Sequence, residues 1–416
     1  MKSEEIFALG LGLSDPWDVV EVKFEQEEGS YRSLHIYIDF RRGSKFMDDA
    51  GELVTAYDTV EKQWRHLNFF EHECILHCRV PRIRLKGGGI RMVEVPWARP
   101  NSGFTLLFEA FVMKLVEGET PVSSVSKQMK VSAPCLWRIF HYWVRKARKK
   151  IDLSKVSRIG VDETSFRKGH NYITSFVDLD TRQLIFATEG KGEETFRAFV
   201  SELEKRGGKR ENIQVVSSDM SASFISGYFE HFSHASLVFD RFHIVKMLNK
   251  ALDDTRKAES ADKKILKGHR FTLLRRKNNL PEKKILELET LLLTYPVVGE
   301  AYKYKEGFMD VFTGNMTPNE AINYLEKWCK AVMNTTLHFM KKFVATLKAH
   351  WTGIINTFTH PGVNNGILEG LNLKIQLAKR RARGFANINN FIDMAYLTCG
   401  KLNLDYPHDS LQSPKI

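Results

Sequence analysis

Three acids raise the question of chemistry. Asp162 closes the apolar run VSRIGVD, Asp219 closes IQVVSSD, and Glu369 lies in NNGILEGLNLKIQLAKRRARGF. An Asp after an apolar strand is a common turn former, so either Asp taken alone reads as structural. Two strand-end carboxylates on one sheet edge, joined by a Glu from a helix, repel one another unless cations lie among them. Mg2+ (or Mn2+) suits such a set, because it takes a few carboxylates and retains several waters. Two such ions can clamp the attacking and leaving oxygens of a phosphodiester displacement. The expectation is a two-ion metal site in which Asp162, Asp219 and Glu369 are at once the ligands and the catalytic acids.

The segment that carries Glu369 reads as one helix over 364–385, with Gly366 near its start and Gly384 after its basic end. Leu368, Leu371, Ile375 and Ala378 recur at helical spacing as one buried stripe. Beside them Glu369, Asn372, Gln376, Lys379 and Arg383 form a second stripe, polar throughout. Cations at a helix C-terminus suit the helix dipole, which is one explanation of the basic end. The other is a phosphate track of Lys374, Lys379, Arg380, Arg381 and Arg383 leading away from a metal-binding acid.

These residues need a scaffold. Between Val156 and Phe242 the chain predicts three antiparallel strands, a helix, an apolar strand, a second helix and a further strand. A mixed sheet with helices against it follows, in the order of a ribonuclease H-like fold. The stretch from Asp219 to Glu369 is too long for a loop and reads mostly as helix, so an all-helical insertion is expected within this core. Lys263, Lys264, Lys267, Arg270, Arg275, Arg276 and Lys277 are its basic stretch, either a solvated face or a hold on flanking DNA. Upstream, residues 1–117 alternate like paired strands, and HCRVPRIRLKGGGIRMVEVPWA predicts a hairpin closed by Gly87, Gly88 and Gly89. From 118 to 152 two short helices follow, with Val122, Val125 and Met129 on one and Leu136, Ile139, Phe140 and Trp143 on the other. They read equally well as a helix-turn-helix, with Arg138 and Arg145 directed at DNA, or as a plain α-hairpin with a solvated basic face. The fold class is α/β. Its expected parts are 1–117, 118–152, 153–245, 246–360, 361–405 and a flexible tail at 406–416.

Composition agrees with a polyanionic partner. The 416 residues carry a formal charge of +12, and neutralised phosphates release condensed counterions. Five cysteines without a paired framework, and no apolar leader after Met1, lead to the expectation of a reducing, cytoplasmic setting. No apolar run is long enough to span a bilayer, so no membrane partner is expected.

Four blocks, GVDETSFRKGHNYITSFVDLD, SSDMSASF, FDRFHIVK and NNGILEGLNLKIQLAKRRARGF, resemble the DDE transposases of bacterial insertion sequences, in particular the ISL-three family. The resemblance covers nearly the whole chain, including WRHLNFFEHECILHCRVPRIR and VPWARPNSGFTLLFEA. It implies that Asp162, Asp219 and Glu369 are the family's three metal-binding acids, and that Asp240 and His243 form an accessory D-x-x-H motif. It further implies double-stranded DNA as partner, both the terminal inverted repeats of the element and the target, with nicking followed by attack of the freed 3′ hydroxyl. Bringing two ends together implies a homodimer or higher oligomer. A nuclease of the same fold without strand transfer, and a transposase-derived DNA-binding regulator, are the alternatives.

One departure is clear. Where the family carries a zinc-binding C-P-x-C-G after a phenylalanine, this chain has Phe46-Met47-Asp48-Asp49-Ala50-Gly51, and Leu85 and Gly88 stand at the second pair. No zinc is expected at those places. Cys74, His77 and Cys78 lie between them on a predicted strand whose alternation sends the two thiols to one face and the imidazole to the other.

Overall fold

The computed structural model describes residues 2–25, 33–167, 169, 171–259, 264–312, 316–360, 362–363 and 366–406. Lys263, the Lys264 side chain and all of the expected tail beyond Tyr406 lie outside the described residues. Two compact units are present, one made of 1–143 with 403–416 and the other of 144–402.

In the first unit a short helix α1 (Ser3–Gly10) precedes strands β1 (Trp17–Glu25), β2 (Ser33–Phe40), β3 (Lys45–Met47), β4 (Leu53–Thr55), β5 (Asp58–Phe69), β6 (His72–Arg84) and β7 (Ile90–Met92). The main sheet has the order β1-β2-β6-β5, with β7 paired to β6. Alternation places Leu34, Ile36 and Ile38 of β2 and Cys74, Leu76, Cys78 and Val80 of β6 in one core. Trp97 meets Trp17 and Trp64 edge-on at 5.1 and 5.6 Å there. Burial pushes the Cys74 and Cys78 thiols up to about 12. His77 points to the opposite face, where it stacks on Tyr37 at 4.7 Å and lies 2.8 Å from a ring nitrogen of His35. The three side chains therefore share no common point.

The expected glycine hairpin joins β6 to β7, with Gly88 and Gly89 at φ of 89° and 95°, a region open to glycine. The β3–β4 turn is closed by Asp48, whose Oδ1 accepts the N–H groups of Ala50 and Glu52 at 2.9 and 2.8 Å. The two tips are joined by ion pairs, Lys86 with Glu52 and Arg91 with Asp49. Charge thus links the two places where the resemblance led one to look for metal ligands.

Helices α2 (Leu106–Glu117), α3 (Val122–Met129) and α4 (Ala133–Arg148) follow. Val122, Val125 and Met129 of α3 and Leu136, Ile139, Phe140 and Trp143 of α4 are buried, as their spacing predicts. Lys130 ends α3 in a left-handed conformation that turns the chain into α4. Glu109, fully buried, accepts from Arg99, Ser102 and the Trp143 indole at 2.9, 2.6 and 2.8 Å and ties α2 to α4.

The second unit holds β8 (Arg158–Arg167), β9 (Asn171–Asp178), β10 (Gln183–Glu189), α5 (Glu194–Lys205), β11 (Val215–Ser218), α6 (Ala222–Phe232) and β12 (Ser236–Phe239). The sheet order is β10-β9-β8-β11-β12, antiparallel from β8 to β10 and parallel from β8 to β12. Phe176, Phe196, Phe199, Phe224 and Phe232 fill the space under α5 and α6, and a Cβ on Gly227 would lie 2.4 Å from the Phe196 ring. Every described element between β12 and residue 360 is helical: α7 (Arg241–Glu259), α8 (Lys264–Gly268), α9 (Arg270–Leu274), a short 3-10 turn (Lys277–Asn279), α10 (Glu282–Thr294), α11 (Pro296–Asp310), α12 (Pro318–Met333), α13 (His338–Ala349) and α14 (Trp351–Thr359). Much of the basic stretch is neutralised here, since Arg270 pairs with Asp253, Arg276 with Asp310 and Lys277 with Glu289. Buried Lys305 donates to the carbonyls of Leu273 and Arg275 at 3.2 and 2.6 Å and holds the loop that presents them.

The chain then returns through α15 (Gly366–Arg381) and α16 (Ile388–Cys399). α15 ends at Arg381 rather than at the predicted 385, while 364 and 365 lie outside the described residues. Arg383 and Gly384 take left-handed conformations past its end, and the Gly384 N–H donates to the Lys379 carbonyl at 2.8 Å. β8 differs as well, running on to Arg167 rather than stopping at Asp162. Thr164 and Phe166 continue the inward alternation, and β9 pairs with that extension.

Candidate active site

Three neighbouring parallel strands carry an acid row at one level. Ser217 of β11 pairs with Gly160 of β8, and Ser218 pairs with Phe239 of β12. Continued along the chain, this register sets Asp219 level with Asp162 on one side and Asp240 on the other, neighbouring strands being ~4.8 Å apart. The Asp240 N–H donates to the Ser218 carbonyl at 3.0 Å and ties the third acid to the second strand. β8 leaves β11 at this level while its hairpin with β9 continues, so Asp162 stands at the mouth of the sheet although its strand does not end there.

Each carboxylate is oriented locally. Asp162 Oδ1 accepts the Glu163 N–H at 2.8 Å, Asp219 Oδ1 accepts the Ser221 N–H at 2.9 Å, and Asp240 Oδ1 accepts the Phe242 N–H at 2.9 Å. His243, one turn into α7, places Nε2 3.6 Å from Asp240 Oδ2. Burial pushes the Asp162 carboxyl up to about 7; the Glu163 N–H opposes this, and the charges of Asp219 and Asp240 add to it. Burial and Asp219 also raise Glu163, which Lys191 partly offsets.

The polar stripe of α15 faces this edge. Asn372 Nδ2 donates to Asp162 Oδ2, and Asn372 Oδ1 accepts from the Thr164 hydroxyl. Gln376 and Lys379 both donate to the Ser165 carbonyl, at 3.3 and 2.7 Å. Glu369 lies on the same stripe one turn before Asn372, exposed and with no partner among the described residues. The structure thus brings Asp162, Asp219 and Asp240 together, with Glu369 one helical turn before the Asn372 that bonds to the first of them. Among the described residues no three His, Cys, Asp or Glu side chains form a closed metal cage.

The donor set fits a hard divalent cation in its chemistry. It is all oxygen, and among the described residues no Lys or Arg pairs with Asp162 or Asp219. The burial that raises the Asp162 carboxyl disfavours its ionised form, a cost that a bound cation would offset.

The basic residues divide into two groups. Arg145 donates to Asp393 Oδ2 at 3.0 Å while Arg148 takes the other oxygen at 2.7 Å, so Arg145 anchors α4 to α16. Lys379 is held at Ser165, and burial lowers its ammonium below the usual lysine range. Arg138 is exposed and donates to Cys135 Sγ at 2.9 Å, while Lys374, Arg380, Arg381 and Arg383 are exposed. Thr164, Glu163 and Asn372 join the site although their types alone did not single them out. Asn372 was visible only as a member of the polar stripe.

An acid row of this kind on a mixed sheet suits metal-dependent phosphodiester chemistry, and comparison with known proteins agrees. The profile of a transposase family, the DDE type of ISL3, matches residues 159–395, and that of the helix-turn-helix domain of transposase family ISL3 matches 93–144. The chain belongs to the ISL3 family of DDE transposases. It is 25% identical to the transposase for insertion sequence element IS1001 of Bordetella parapertussis, over 92% of this chain and 95% of that protein. It is likewise 25% identical to the transposase for IS1557 of Mycobacterium tuberculosis, over 96% of each. The α-hairpin of α3 and α4 is thereby a helix-turn-helix, and the protein is a DNA-binding, divalent-metal-dependent transposase. No described helix is long and apolar enough to cross a membrane.

Proposed function

We propose that the chain binds the terminal inverted repeats of its own insertion sequence and that Asp162, Asp219 and Glu369 hold two Mg2+ ions for cleavage and strand transfer. The observation that carries this is the level placement of Asp162 and Asp219 on adjacent parallel strands, with the Glu369 helix bonded to the first of them. In this reading the sheet with α5, α6, α15 and α16 is a ribonuclease H-like core over 153–245 and 361–405. The helices of 246–360 are its insertion, 118–152 is the DNA-reading helix-turn-helix, and 1–117 is the β-rich domain that precedes it. Bound Mg2+ supplies a lowered water pKa and charge stabilisation at the phosphate. The protein's own part is orientation. Backbone N–H groups fix the carboxylates, and Asp240 with His243 supports the row from the third strand. Arg138 reads DNA from α4, while Lys374, Arg380, Arg381 and Arg383 hold phosphates. Two ends must meet, so a homodimer or larger assembly acts, in the bacterial cytoplasm.

Changing Asp162, Asp219 or Glu369 singly to Ala tests this with an end-containing duplex. Cleavage and strand transfer should be lost while end binding in EDTA stays near wild type, since affinity comes mainly from cations. Cleavage at the wild-type rate by the Glu369→Ala variant would remove that residue from the mechanism.

A further inference from the structure

The contact between α15 and β8 is a ladder of polar bonds, and its first rung is on a catalytic acid. Asn372, Gln376 and Lys379 recur at helical spacing on one face, and they reach Asp162 with Thr164, then Ser165, then Ser165 again. The Asn372 amide turns its NH2 group to Asp162 and its carbonyl oxygen to the Thr164 hydroxyl. That is the orientation a metal-binding carboxylate requires, since in its ionised form it can only accept. Asp162 therefore has one donor on each oxygen, the Glu163 N–H on Oδ1 and Asn372 on Oδ2, and each oxygen keeps a lone pair.

We propose that Asn372 is a positioning residue. Its amide fixes the plane of the Asp162 carboxylate for a divalent cation, from a helix that carries Glu369 one turn earlier. Thr164 completes the device by holding the far side of the amide. This rests on Asp162 being a metal ligand. A helix anchor alone would act on stability; a positioning residue acts on metal affinity. The two separate here because Leu368, Ile375, Gln376 and Lys379 still dock α15 when Asn372 is cut back.

The test uses the full chain without DNA, with Mn2+ binding followed by electron paramagnetic resonance and thermal melting recorded in EDTA. Asp162→Asn should lose most of the Mn2+ binding. Asn372→Ala should weaken it about 10- to 100-fold, as partners behind metal ligands do, with a metal-free melt close to wild type. Thr164→Val should shift Mn2+ affinity the same way by a smaller factor, and Gln376→Ala, at the next rung, should leave it unchanged. If Asp162→Asn loses Mn2+ and Asn372→Ala binds it like wild type, Asn372 is only an anchor and the proposal fails. Wild-type Mn2+ binding by Asp162→Asn would overturn the ligand reading beneath it. Should Asn372→Ala lack a cooperative melt, Thr164→Val decides, and a wild-type affinity there overturns the proposal.

Discussion

The Thr105 hydroxyl makes two contacts that suit a neutral His66. It accepts the Phe108 N–H at 3.3 Å as the N-cap of α2 and lies 2.8 Å from His66 Nδ1, to which its own proton can be donated. Burial first, and the Arg65 charge second, push His66 down to about 4. An unfolded histidine takes its proton near ~6.5. Between those values the unfolded chain binds more protons, so stability rises with pH; the contribution is whole above about 6.5 and lost as pH falls toward 4. Urea melts at pH 7.5 and pH 4.5 should therefore differ by up to ~3 kcal/mol from this group, and His66→Gln should shrink the difference. An unchanged difference in that variant would clear His66 of the effect. Gly160 is a second sensitive position. A Cβ there would lie 2.9 Å from both Leu179 and Leu368 and push α15 from β8. Gly160→Ala is expected to cost ~1–3 kcal/mol and to lower cleavage at unchanged end binding, and a wild-type turnover would show that the helix adjusts.

Among the elements, the tips of β3–β4 and β6–β7 are joined by charge. Asp48 closes one turn through backbone N–H groups, Gly88 and Gly89 close the other, and two ion pairs span them. Exposed pairs of this kind contribute ~0–1 kcal/mol each, so the apolar packing of Trp17, Phe46, Trp64 and Trp97 must carry the fold. Metal analysis should find no stoichiometric zinc, and a zinc-selective chelator should leave the melt unchanged. One tightly held zinc per chain would overturn this and return attention to Cys74, His77 and Cys78. The α3–α4 segment was half legible in the same sense. Its apolar spacing announced both helices, but spacing alone left a helix-turn-helix and a plain hairpin equal, because a buried stripe records only that a partner exists.

At the scale of the molecule, a charge of +12 is not a map of DNA contacts. Arg145, Arg270, Arg276 and Lys277 are held by acids and Lys379 by a carbonyl, whereas Lys374, Arg380 and Arg383 are exposed. Changing Lys374, Arg380 and Arg383 together to Gln should weaken binding to all duplexes alike and flatten the slope of log affinity against log salt by ~0.9 per lost phosphate contact. Arg276→Gln should lower stability and leave that slope alone. A changed sequence preference at constant slope in the triple variant would contradict the phosphate assignment.

What the sequence determined by itself is what depends on neighbours within a few residues. Strand alternation put Cys74 and Cys78 opposite His77, helical spacing marked Val122, Val125 and Met129, and apolar runs led into Asp162 and Asp219. Periodicity suffices there because a side chain's face follows from backbone geometry. The polar stripe beginning at Glu369 was equally visible, but its meaning was not. Only the packed molecule decided that Asn372 bonds to Asp162, that Lys379 bonds to the Ser165 carbonyl, that Arg145 pairs with Asp393, and that Asp240 stands level with Asp219. Those pairings join residues far apart in the chain, and a side chain's hydrogen-bond partner is chosen by which elements pack together and in which register, information that no local spacing contains.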